Sequence, residues 1–577
     1  MARAATWGCP YVDDVDRSKG LMKRRTFLQT SASLLVFRDG GVWAAPRFQA
    51  TRVLRGAVLY DGTGAAPREA DVALAGDRII GVGARLQVGR VPETDLRGLA
   101  LAPGFVDIHS HTDLNLLVNP RAESKVRQGV TTEVTGQDGG SIGPWSDAEY
   151  QEMRADYRER LSIDLPFRDI AGFFRWMDTE GAAVHVASMI GHGTIRARVV
   201  GQQDRPATDA ELQRMKEEVR SAVAAGACGF SSGLEYTPGA FGSTAELAEL
   251  STAVVGTGLP YASHMRNEDD RLFAAVEEAI QVGRLAGVPV EISHLKAQGK
   301  RNGWKAAAVL QAIEQARAAG VDVAFNVYPY VAYSTGLANL FPVSARNGGT
   351  DAFLARLRDP VQRAPLEVAV RAKIEQLGSW DAVQVTSTGS DALAWARGRK
   401  LGELAAERRI EPFALLLQLV TEDRNRAGMV GFGMREEDVE RILAHPLAAV
   451  CSDGGAWAPY GPLSTGVPHP RTYGTFPRVL GRYVRERKVL PLEAAIHRMT
   501  VLPARRVGLH DRGTVAPGMR ADLVAFDPDT VADRATFERP HQYPVGIPHV
   551  WVNGAPVIRH GEHTGARPGR SARPVRR

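Results

Sequence analysis

The chain has 577 residues, and its hydrophobic fraction of 44% and charged fraction of 24% are those of an ordinary globular protein. Its net charge of +6 lies at the ends: residues 1–50 carry +4 and residues 559–577 carry +5, so the long segment between them is slightly acidic. A nucleic-acid binder would carry a basic patch within its fold, so this charge distribution argues against nucleic-acid binding. The three cysteines are too few for a disulfide framework in so long a chain. No apolar run approaches the roughly 18 residues that span a bilayer.

Residues 1–50 are predicted to form a leader. Residues 22–29, with the paired Arg24 and Arg25, resemble a twin-arginine export signal, and a weakly apolar segment and two alanines, Ala44 and Ala45, follow it. We therefore expect the twin-arginine machinery to export the protein to the periplasm. A basic leader on a cytoplasmic protein is the alternative, and finding the full-length protein only in the cytosol after cell fractionation would contradict export.

The two ends of the chain are rich in short β-type runs separated by turn signals. Strands are predicted at 53–59, 70–74, 79–82, 521–527 and 549–557. Because these runs flank one long middle segment, we expect a small β-sandwich built from residues 51–102 and 506–560. The arginine-rich residues 561–577 are predicted to be a disordered tail.

The apolar run 99–106 predicts a buried strand that leads into two histidines, His109 and His111. Side chains two positions apart on a strand point to the same side, so both imidazoles can face one metal ion at the end of that strand. Two polar loop histidines would give the same triplet. The pair by itself leaves both interpretations open.

Between residues 103 and 505, amphipathic helical stretches alternate with short apolar runs. Helices are predicted at 209–225, 243–255 and 272–285, and apolar runs at 184–190, 229–233, 260–264, 288–294, 321–328 and 448–453. Repeated β-then-α units imply a parallel sheet, and about eight of them imply a closed (β/α)8 TIM barrel, so the predicted fold class is α/β. Residues from about 338 to 430 interrupt the alternation and predict an inserted helical subdomain.

Four further polar residues stand at the ends of these runs, where barrel enzymes carry their catalytic groups. They are Asp138, His264, His294 and Asp453. Each alone is more often a satisfied polar residue or a turn residue. Together with the two earlier histidines they are typical of a hydrolytic site that holds one or two metal ions and acts on a small molecule.

The order and composition of these segments resemble the amidohydrolase superfamily and, within it, the D-aminoacylases, which are N-acyl-D-amino-acid deacylases. The resemblance covers about residues 51 to 565 and is carried by residues 102–113, 128–144, 191–196, 229–241, 261–268, 292–296, 328–335, 451–454 and 469–482. It implies a metal-dependent-hydrolase barrel and zinc-dependent hydrolysis of N-acyl-D-amino acids to a carboxylate and a free D-amino acid.

The resemblance also implies roles for individual residues. His264 and His294 match the ligands of a tightly held zinc, and His109 and His111 match the pair at a neighbouring, weaker site. Asp453 matches the aspartate that takes a proton from the attacking water and passes it to the leaving amine. The residues that match those holding the substrate carboxylate and the scissile amide are Lys296, Tyr328, Ser334 and Arg471.

One position departs from the family pattern. The family has Asn-Cys, with the cysteine a zinc ligand, where this chain has Gln137-Asp138. A carboxylate also binds or bridges metal ions, but it is a harder ligand than a thiolate. If Asp138 is a ligand, we therefore expect a change in which metal ions bind, in how many bind, or in how tightly they bind. A structural Gln137 followed by a turn aspartate is the alternative.

Other functions stay open beside this one. Cyclic amidases of the same superfamily generally bridge their metal ions with a carbamylated lysine, but Lys125 and Lys216 are predicted on helices and no lysine stands between Lys216 and Lys296. A catalytically silent barrel is disfavoured by the intact set of candidate ligands. Among linear substrates, the apolar residues 336–341 favour neutral or hydrophobic D-side chains, and small peptides with a C-terminal D-residue are an alternative.

Overall fold

A computed structural model describes residues 49–575 of the chain. The predicted twin-arginine signal lies outside these residues. Within them, no helix combines the length and the hydropathy that crossing a bilayer requires.

Eight parallel strands close the predicted barrel. In chain order they are Phe105–Asp107, Val130–Thr135, His185–Ser188 continued by Ile190–Gly191, Phe230–Gly233, Tyr261–His264, Val290–Ile292, Val323–Val327 and Ala448–Val450. The first and eighth strands meet just beyond their ends, where Ser110 pairs with Gly454 and the amide of Asp453 donates to the carbonyl of His109 at 2.9 Å. This closure brings residues about 340 positions apart to one rim of the barrel.

Helices surround the barrel on the outside. They are Asn115–Val118, Glu123–Val126, Asp147–Leu161, Ile170–Glu180, His192–Val199, Asp209–Ala225, Thr244–Ser251, Leu272–Ala286, Lys305–Ala318, Glu436–Ala444, Arg471–Arg478 with a π-helical continuation Val479–Glu486, Leu492–Met499 and Val501–Arg506. Asp209–Ala225 has the predicted bounds because local signals fix both of its ends. Thr208 and Glu211 form a reciprocal capping box, and Gly226 ends the helix in the left-handed conformation at φ 109°.

The strands at the two ends of the chain form one continuous sheet with its own hydrophobic core. Its strands are Arg52–Leu59, Arg68–Ala75, Arg78–Gly83, Glu93–Asp95, Ala100–Pro103, Leu523–Phe526, His549–Val552, Ala555–Arg559 and Glu562–His563. Ala100–Pro103 joins the two halves, since it pairs in parallel with Arg52–Leu59 and antiparallel with Leu523–Phe526. The β domain is therefore built from both ends, as expected.

The apolar run 99–106 is not one strand. Gly104 divides it into Ala100–Pro103 of the end sheet and Phe105–Asp107 of the barrel. A Cβ on Gly104 would lie 2.2 Å from Cγ2 and Oγ1 of Thr131, so the absence of a side chain lets the backbone pass from one sheet to the other against the second barrel strand.

The end of the chain is ordered as far as it is described, so the prediction of a disordered tail is wrong up to Val575. The amide of Ala572 donates to the carbonyl of Val186 at 2.8 Å, next to the third barrel strand, and the guanidinium of Arg573 lies 2.6 Å from the carboxylate of Asp178. Among the described arginines of this segment, Arg573 thus reaches a carboxylate on a helix around the barrel, and Arg570 donates to the carbonyls of Arg567 and Gly569 within the segment itself.

The insertion lies between the seventh and eighth barrel strands. It contains the predicted helices, Gly349–Arg358, Pro360–Leu377, Leu401–Arg408 and Pro412–Glu422, but also a three-stranded antiparallel sheet of Ala332–Gly336, Gly428–Phe432 and Val383–Ser387. The first strand of this sheet carries Ser334 to the open end of the barrel.

Short 3-10 turns occur both in the insertion and elsewhere in the fold. They are Gly239–Phe241, Thr252–Val254, Lys300–Asn302, Leu337–Leu340, Val343–Arg346, Trp380–Ala382, Asp391–Ala396 and Gly461–Ser464.

Candidate metal and substrate site

The six predicted metal ligands meet at the carboxyl ends of the barrel strands. His109 and His111 follow the first strand, Asp138 the second, His294 the sixth and Asp453 the eighth, and His264 ends the fifth. They lie at or beside a cavity of about 260 Å³, the size of a small-molecule site. The structure thus brings all six residues to one end of the barrel.

Asp138 connects two groups of candidate ligands. The four-residue group consists of His109, His111, Asp138 and Asp453, and the three-residue group consists of Asp138, His264 and His294. In each group, one nitrogen or oxygen per residue lies within 4.8 Å of all the others. Asp138 belongs to both, as a carboxylate that bridges two ions would.

The donor atoms of the three-residue group fit a metal ion. Nδ1 of His264 lies 3.0 Å from Nε2 of His294, and the Asp138 oxygens lie 3.3 and 3.6 Å from these nitrogens. A tetrahedral ion with bonds near 2.0–2.1 Å holds its ligand atoms about 3.4 Å apart. In the neighbouring group, both ring nitrogens of His109 are buried without a hydrogen-bond partner, and a metal ion would satisfy Nε2, the nitrogen that faces Asp138 and Asp453.

The loop that carries Asp138 is held in place by the helix His192–Val199, which follows the third barrel strand, and by the fourth strand. The amide of Thr194 donates to the carbonyl of Gly139 at 3.0 Å, and the hydroxyl of Ser231 donates to the carbonyl of Gly136 at 2.6 Å. Asp138 itself has φ 53°, in the left-handed region that aspartate tolerates better than most residues. These contacts aim its carboxylate inward, so Asp138 is more than a surface turn residue.

Electrostatics favour ionised carboxylates at the centre of the site. Burial alone would raise the pKa of Asp138, but the neighbouring His109 and His294 hold it well below its usual range. Burial alone would also lower the pKa of His111, but its contacts with Asp138 and Asp453 outweigh that effect and raise it to about 10. A metal ion that binds His111 must therefore displace a proton.

Asp453 lies between the four-residue group and a buried guanidinium. Its Oδ1 is 3.1 Å from Nε2 of His111 and its Oδ2 is 2.8 Å from Nη1 of Arg471. Burial would raise the pKa of Asp453, but the Arg471 charge and the nearby histidines lower it strongly. Asp453, Asp138 and His294 all have positive φ (50°, 53° and 33°), a clustering of backbone strain that is typical of functional sites.

The four residues predicted to hold substrate also line the cavity: Lys296, Tyr328, Ser334 and Arg471. The hydroxyl of Tyr328 and the Nε of Arg471 are buried without a hydrogen-bond partner. The Arg471 guanidinium stacks 4.7 Å above the Tyr328 ring. These donors could be satisfied by an anionic group of a ligand in the cavity.

Sequence reasoning missed several residues of the cavity wall. Glu268 contacts Lys296 and His294, and the remaining ones are Glu235, Tyr236, Gln298, Tyr333, Thr335, Asn339 and Lys373. Glu268 lies four residues after His264, in a stretch that carried the family resemblance, so its position gave a usable signal. Lys373 comes from a helix of the insertion, and nothing in the sequence near it indicates that it reaches the site.

The two lysines weighed as a carbamylated bridge lie elsewhere. The Lys125 ammonium is fully buried, 2.8 Å from the carboxylate of Asp107 and 2.6 Å from the hydroxyl of Ser452, so it ties the first strand to the segment after the eighth. Lys216 forms an ion pair with Glu249 on the outer helices.

The chain is similar to several known proteins over most of its length. Residues 93–351 and 381–558 match the amidohydrolase family. The chain is 37% identical over 530 residues to D-aminoacylase of Alcaligenes xylosoxydans xylosoxydans, covering 90% of this chain and 96% of that protein, and 38% identical over 529 residues to N-acyl-D-aspartate deacylase of the same organism, covering 91% and 95%. Among solved structures, N-acyl-D-glutamate deacylase from Bordetella bronchiseptica, complexed with zinc and a phosphonate mimic of the tetrahedral intermediate, aligns with a TM-score of 0.77 at 34% identity over 91% of this chain and 100% of that one.

Proposed function

The chain belongs to the amidohydrolase family and, within it, to the D-aminoacylases, and we propose that it hydrolyses the amide bond of N-acyl-D-amino acids with the help of zinc. The observation that carries this proposal is the placement of buried, unpartnered donors on Tyr328 and Arg471 beside two groups of metal-ligand atoms. A substrate that has both a carboxylate and an amide satisfies both halves of such a site.

The donors would hold the substrate by its carboxylate. Lys296 and Arg471 supply positive charge, and the hydroxyl of Tyr328 supplies a further hydrogen bond. Their burial strengthens these bonds because little water competes with them. With the carboxylate fixed there, the acyl end of the substrate lies towards the histidines.

Asp453 is placed to move the proton. Zinc, when bound, lowers the pKa of water and polarises the amide carbonyl. Asp453 accepts the proton from the attacking water and delivers it to the nitrogen of the leaving amine. His111 and Arg471, at 3.1 and 2.8 Å, hold its carboxylate in position and keep its pKa low.

Two metal positions are proposed, with different affinities. His264 and His294, with Asp138, would hold the first zinc tightly, because both histidines are buried and their ligand nitrogens already face one another. His109 and His111, with Asp138 and Asp453, would hold a second ion more weakly, since His111 must first lose a proton that two carboxylates stabilise.

We also propose that the preferred D-side chain is uncharged. Leu337, Ala338, Leu340 and Phe341 pack in the core of the insertion, so the preference rests instead on the cavity wall, which offers Tyr236, Tyr333, Thr335 and Asn339. The one lysine that the insertion contributes to that wall, Lys373, is already paired with Asp269 at 2.6 Å. A tyrosine-rich wall accepts neutral and hydrophobic side chains, whereas an acidic side chain would have to compete with Asp269 for the Lys373 ammonium.

The alternatives have weaker support. A catalytically silent barrel would not need the buried donors without partners on Tyr328 and Arg471 beside the two groups of candidate metal ligands. A cyclic amidase would need a bridging lysine where the structure has Asp138. Small peptides with a C-terminal D-residue present the same carboxylate and amide, and they belong in the test.

The test is a panel of N-acetyl-D- and N-acetyl-L-amino acids, together with D-terminal dipeptides, assayed while zinc content is measured. We expect hydrolysis of neutral D-substrates, about one equivalent of tightly held zinc, and loss of activity on chelation that zinc reverses. Asp453→Asn should keep that zinc and lose turnover by about 100- to 10,000-fold. Less than one equivalent of zinc with no gain on adding metal would support the silent barrel, and N-acetyl-D-glutamate as the best substrate would overturn the side-chain proposal.

A further inference from the structure

Glu268 lies between a candidate metal ligand and a residue of the substrate cavity. Its Oε1 is 3.1 Å from Nδ1 of His294 and 2.5 Å from Nζ of Lys296, and its Oε2 accepts a hydrogen bond from Gln298 at 2.7 Å. Only 2% of Glu268 is exposed. These donors therefore replace water around the carboxylate.

The protonation of the His294 ring determines what Glu268 contributes. Nε2 of His294 faces the three-residue group, and a ring nitrogen that binds a metal carries no proton, so the proton stays on Nδ1. Nδ1–H and the Lys296 ammonium, whose nitrogens are 2.7 Å apart, are then both donors. Two donors this close need a common acceptor, and Oε1 of Glu268 is placed to accept from both.

The charge of Glu268 matters as much as its geometry. Lys296 is 6% exposed and stands among histidines near Arg471. Within residues 49–575, Glu268 provides the carboxylate that lies within 4 Å of the Lys296 ammonium. Without that negative charge, the buried Lys296 ammonium would lack a counter-ion and would lie close to other cationic groups.

We propose that Glu268 is a positioning residue that holds His294 towards the metal and Lys296 towards the substrate carboxylate at the same time. The part that concerns Lys296 rests on the proposed function, whereas the part that concerns His294 depends only on the metal group. One buried carboxylate thereby fixes the distance between the metal and the cationic end of the cavity.

The His294 part is tested by zinc titration against a colorimetric chelator, which needs no substrate. Glu268→Gln keeps the shape of the side chain but removes its charge and turns one acceptor into a donor. We expect the zinc Kd of this variant to rise by about 10- to 100-fold. Asp270→Asn is the matched control, because it makes the same change in the same loop at a carboxylate that contacts Arg301 and Asn302 outside the site.

The Lys296 part is tested kinetically at saturating zinc. Glu268→Gln and Lys296→Met should each raise KM for the best substrate more than they lower kcat, and the double variant should raise KM little beyond Lys296→Met alone, since both changes disable one unit. Lys296→Met should leave the zinc Kd near that of the wild type. A merely structural role for Glu268 would lower stability without this pattern.

The outcomes separate the possibilities. An unchanged zinc Kd in Glu268→Gln overturns the His294 part, and fully additive effects on KM overturn the Lys296 part. If Glu268→Gln does not fold, Glu268→Asp, which keeps the charge on a side chain one methylene shorter, gives the same readings with smaller shifts. If no N-acyl-D-amino acid is a substrate, the proposed function fails while the zinc titration still decides the His294 part.

Discussion

At the scale of single residues, Asp138 is the side chain that the two proposed metal positions share. Its two oxygens reach histidines of both groups, His109 at 3.3 Å and His264 at 3.6 Å among them. A carboxylate can use separate oxygens for separate ions, whereas a thiolate bridges through one sulfur and is a softer ligand. The departure from the family's cysteine therefore bears on which metal binds.

Replacing Asp138 by cysteine tests whether the side chain at this position sets the metal preference. We expect Asp138→Cys to raise the ratio of zinc to manganese affinity on the order of tenfold, because thiolate favours the softer ion. The backbone at φ 53° suits cysteine less well than aspartate, so the variant should also be less stable by about 1 kcal/mol. Competitive metal titration and thermal unfolding measure the two effects.

Asp138→Asn is the companion variant, since asparagine tolerates the same backbone conformation and lacks the charge. It should weaken the binding of both zinc and manganese. A zinc-to-manganese ratio that is the same in Asp138→Cys as in the wild type would show that Asp138 is not a ligand.

Prediction at this scale depended on whether a residue carries its own local signal. His264 and His294 were found because each stands at the end of an apolar run, and Asp138 because it replaces a family ligand. Lys373 could not be found, since its helix is brought to the cavity by the fold of the whole insertion. Functional residues at strand ends can be predicted from a sequence, but a cavity-lining residue on a helix distant in the chain cannot.

At the scale of elements, the connection between the end sheet and the barrel depends on Gly104. The sequence suggested one strand over 99–106 because the apolar side chains continue through it, and hydrophobicity alone does not show where a strand changes sheets. In the structure Ala100–Pro103 pairs within the end sheet and Phe105–Asp107 within the barrel.

Gly104→Ala should strain this connection. Its new methyl group would lie 2.2 Å from two atoms of Thr131 and 2.7 Å from a third, all on the side chain of a buried strand residue. We expect a loss of about 1–3 kcal/mol in the free energy of unfolding, measured by urea denaturation. Thr131→Ala removes the two nearest of these atoms, so adding it should recover part of the loss.

Gly83→Ala is the control for the effect of glycine itself. Gly83 ends a strand of the end sheet, and a Cβ there would meet Leu86 at 3.4 Å, an ordinary contact. Equal losses in Gly104→Ala and Gly83→Ala would contradict the steric argument.

The insertion shows why elements are predicted unequally. Its helices have local periodicity, so a helical subdomain was expected at 338–430. Its strands pair across long intervals: Ser334 lies opposite Val430, and Val383 opposite Gly431. No local pattern reports such pairing, so the three-stranded sheet was missed.

At the scale of the whole molecule, Asp522 connects the end sheet, the barrel and the C-terminal segment. Its carboxylate accepts from the backbone amide of Asn553 at 2.8 Å and lies 3.2 Å from Nε2 of His185 and from Nη1 of Arg512. The amide of Arg570 donates to Nδ1 of His185 at 3.1 Å, so Nε2 is the ring nitrogen that donates to Asp522. The sequence predicted which parts exist, but these junctions depend on residues hundreds of positions apart.

Asp522 should make the stability of the molecule depend on pH. Burial alone would raise its pKa, but His185 and Arg512 hold the pKa well below the value near 3.9 of an unfolded chain. A group with a lowered folded pKa contributes stability above its unfolded pKa and loses that contribution as the pH falls towards the folded value. The wild type should therefore lose stability as the pH falls from about 5 to 3.

Asp522→Asn should remove the part of this dependence that Asp522 contributes. At pH 7 the variant should be less stable by about 1–3 kcal/mol, because its amide cannot satisfy the donors of both His185 and Arg512. The difference from the wild type should shrink as the pH falls, and urea unfolding from pH 7 to 3 measures it. Glu562→Gln, a change at an exposed carboxylate, should keep the wild-type slope, and a constant difference between Asp522→Asn and the wild type would show that Asp522 is not the group responsible.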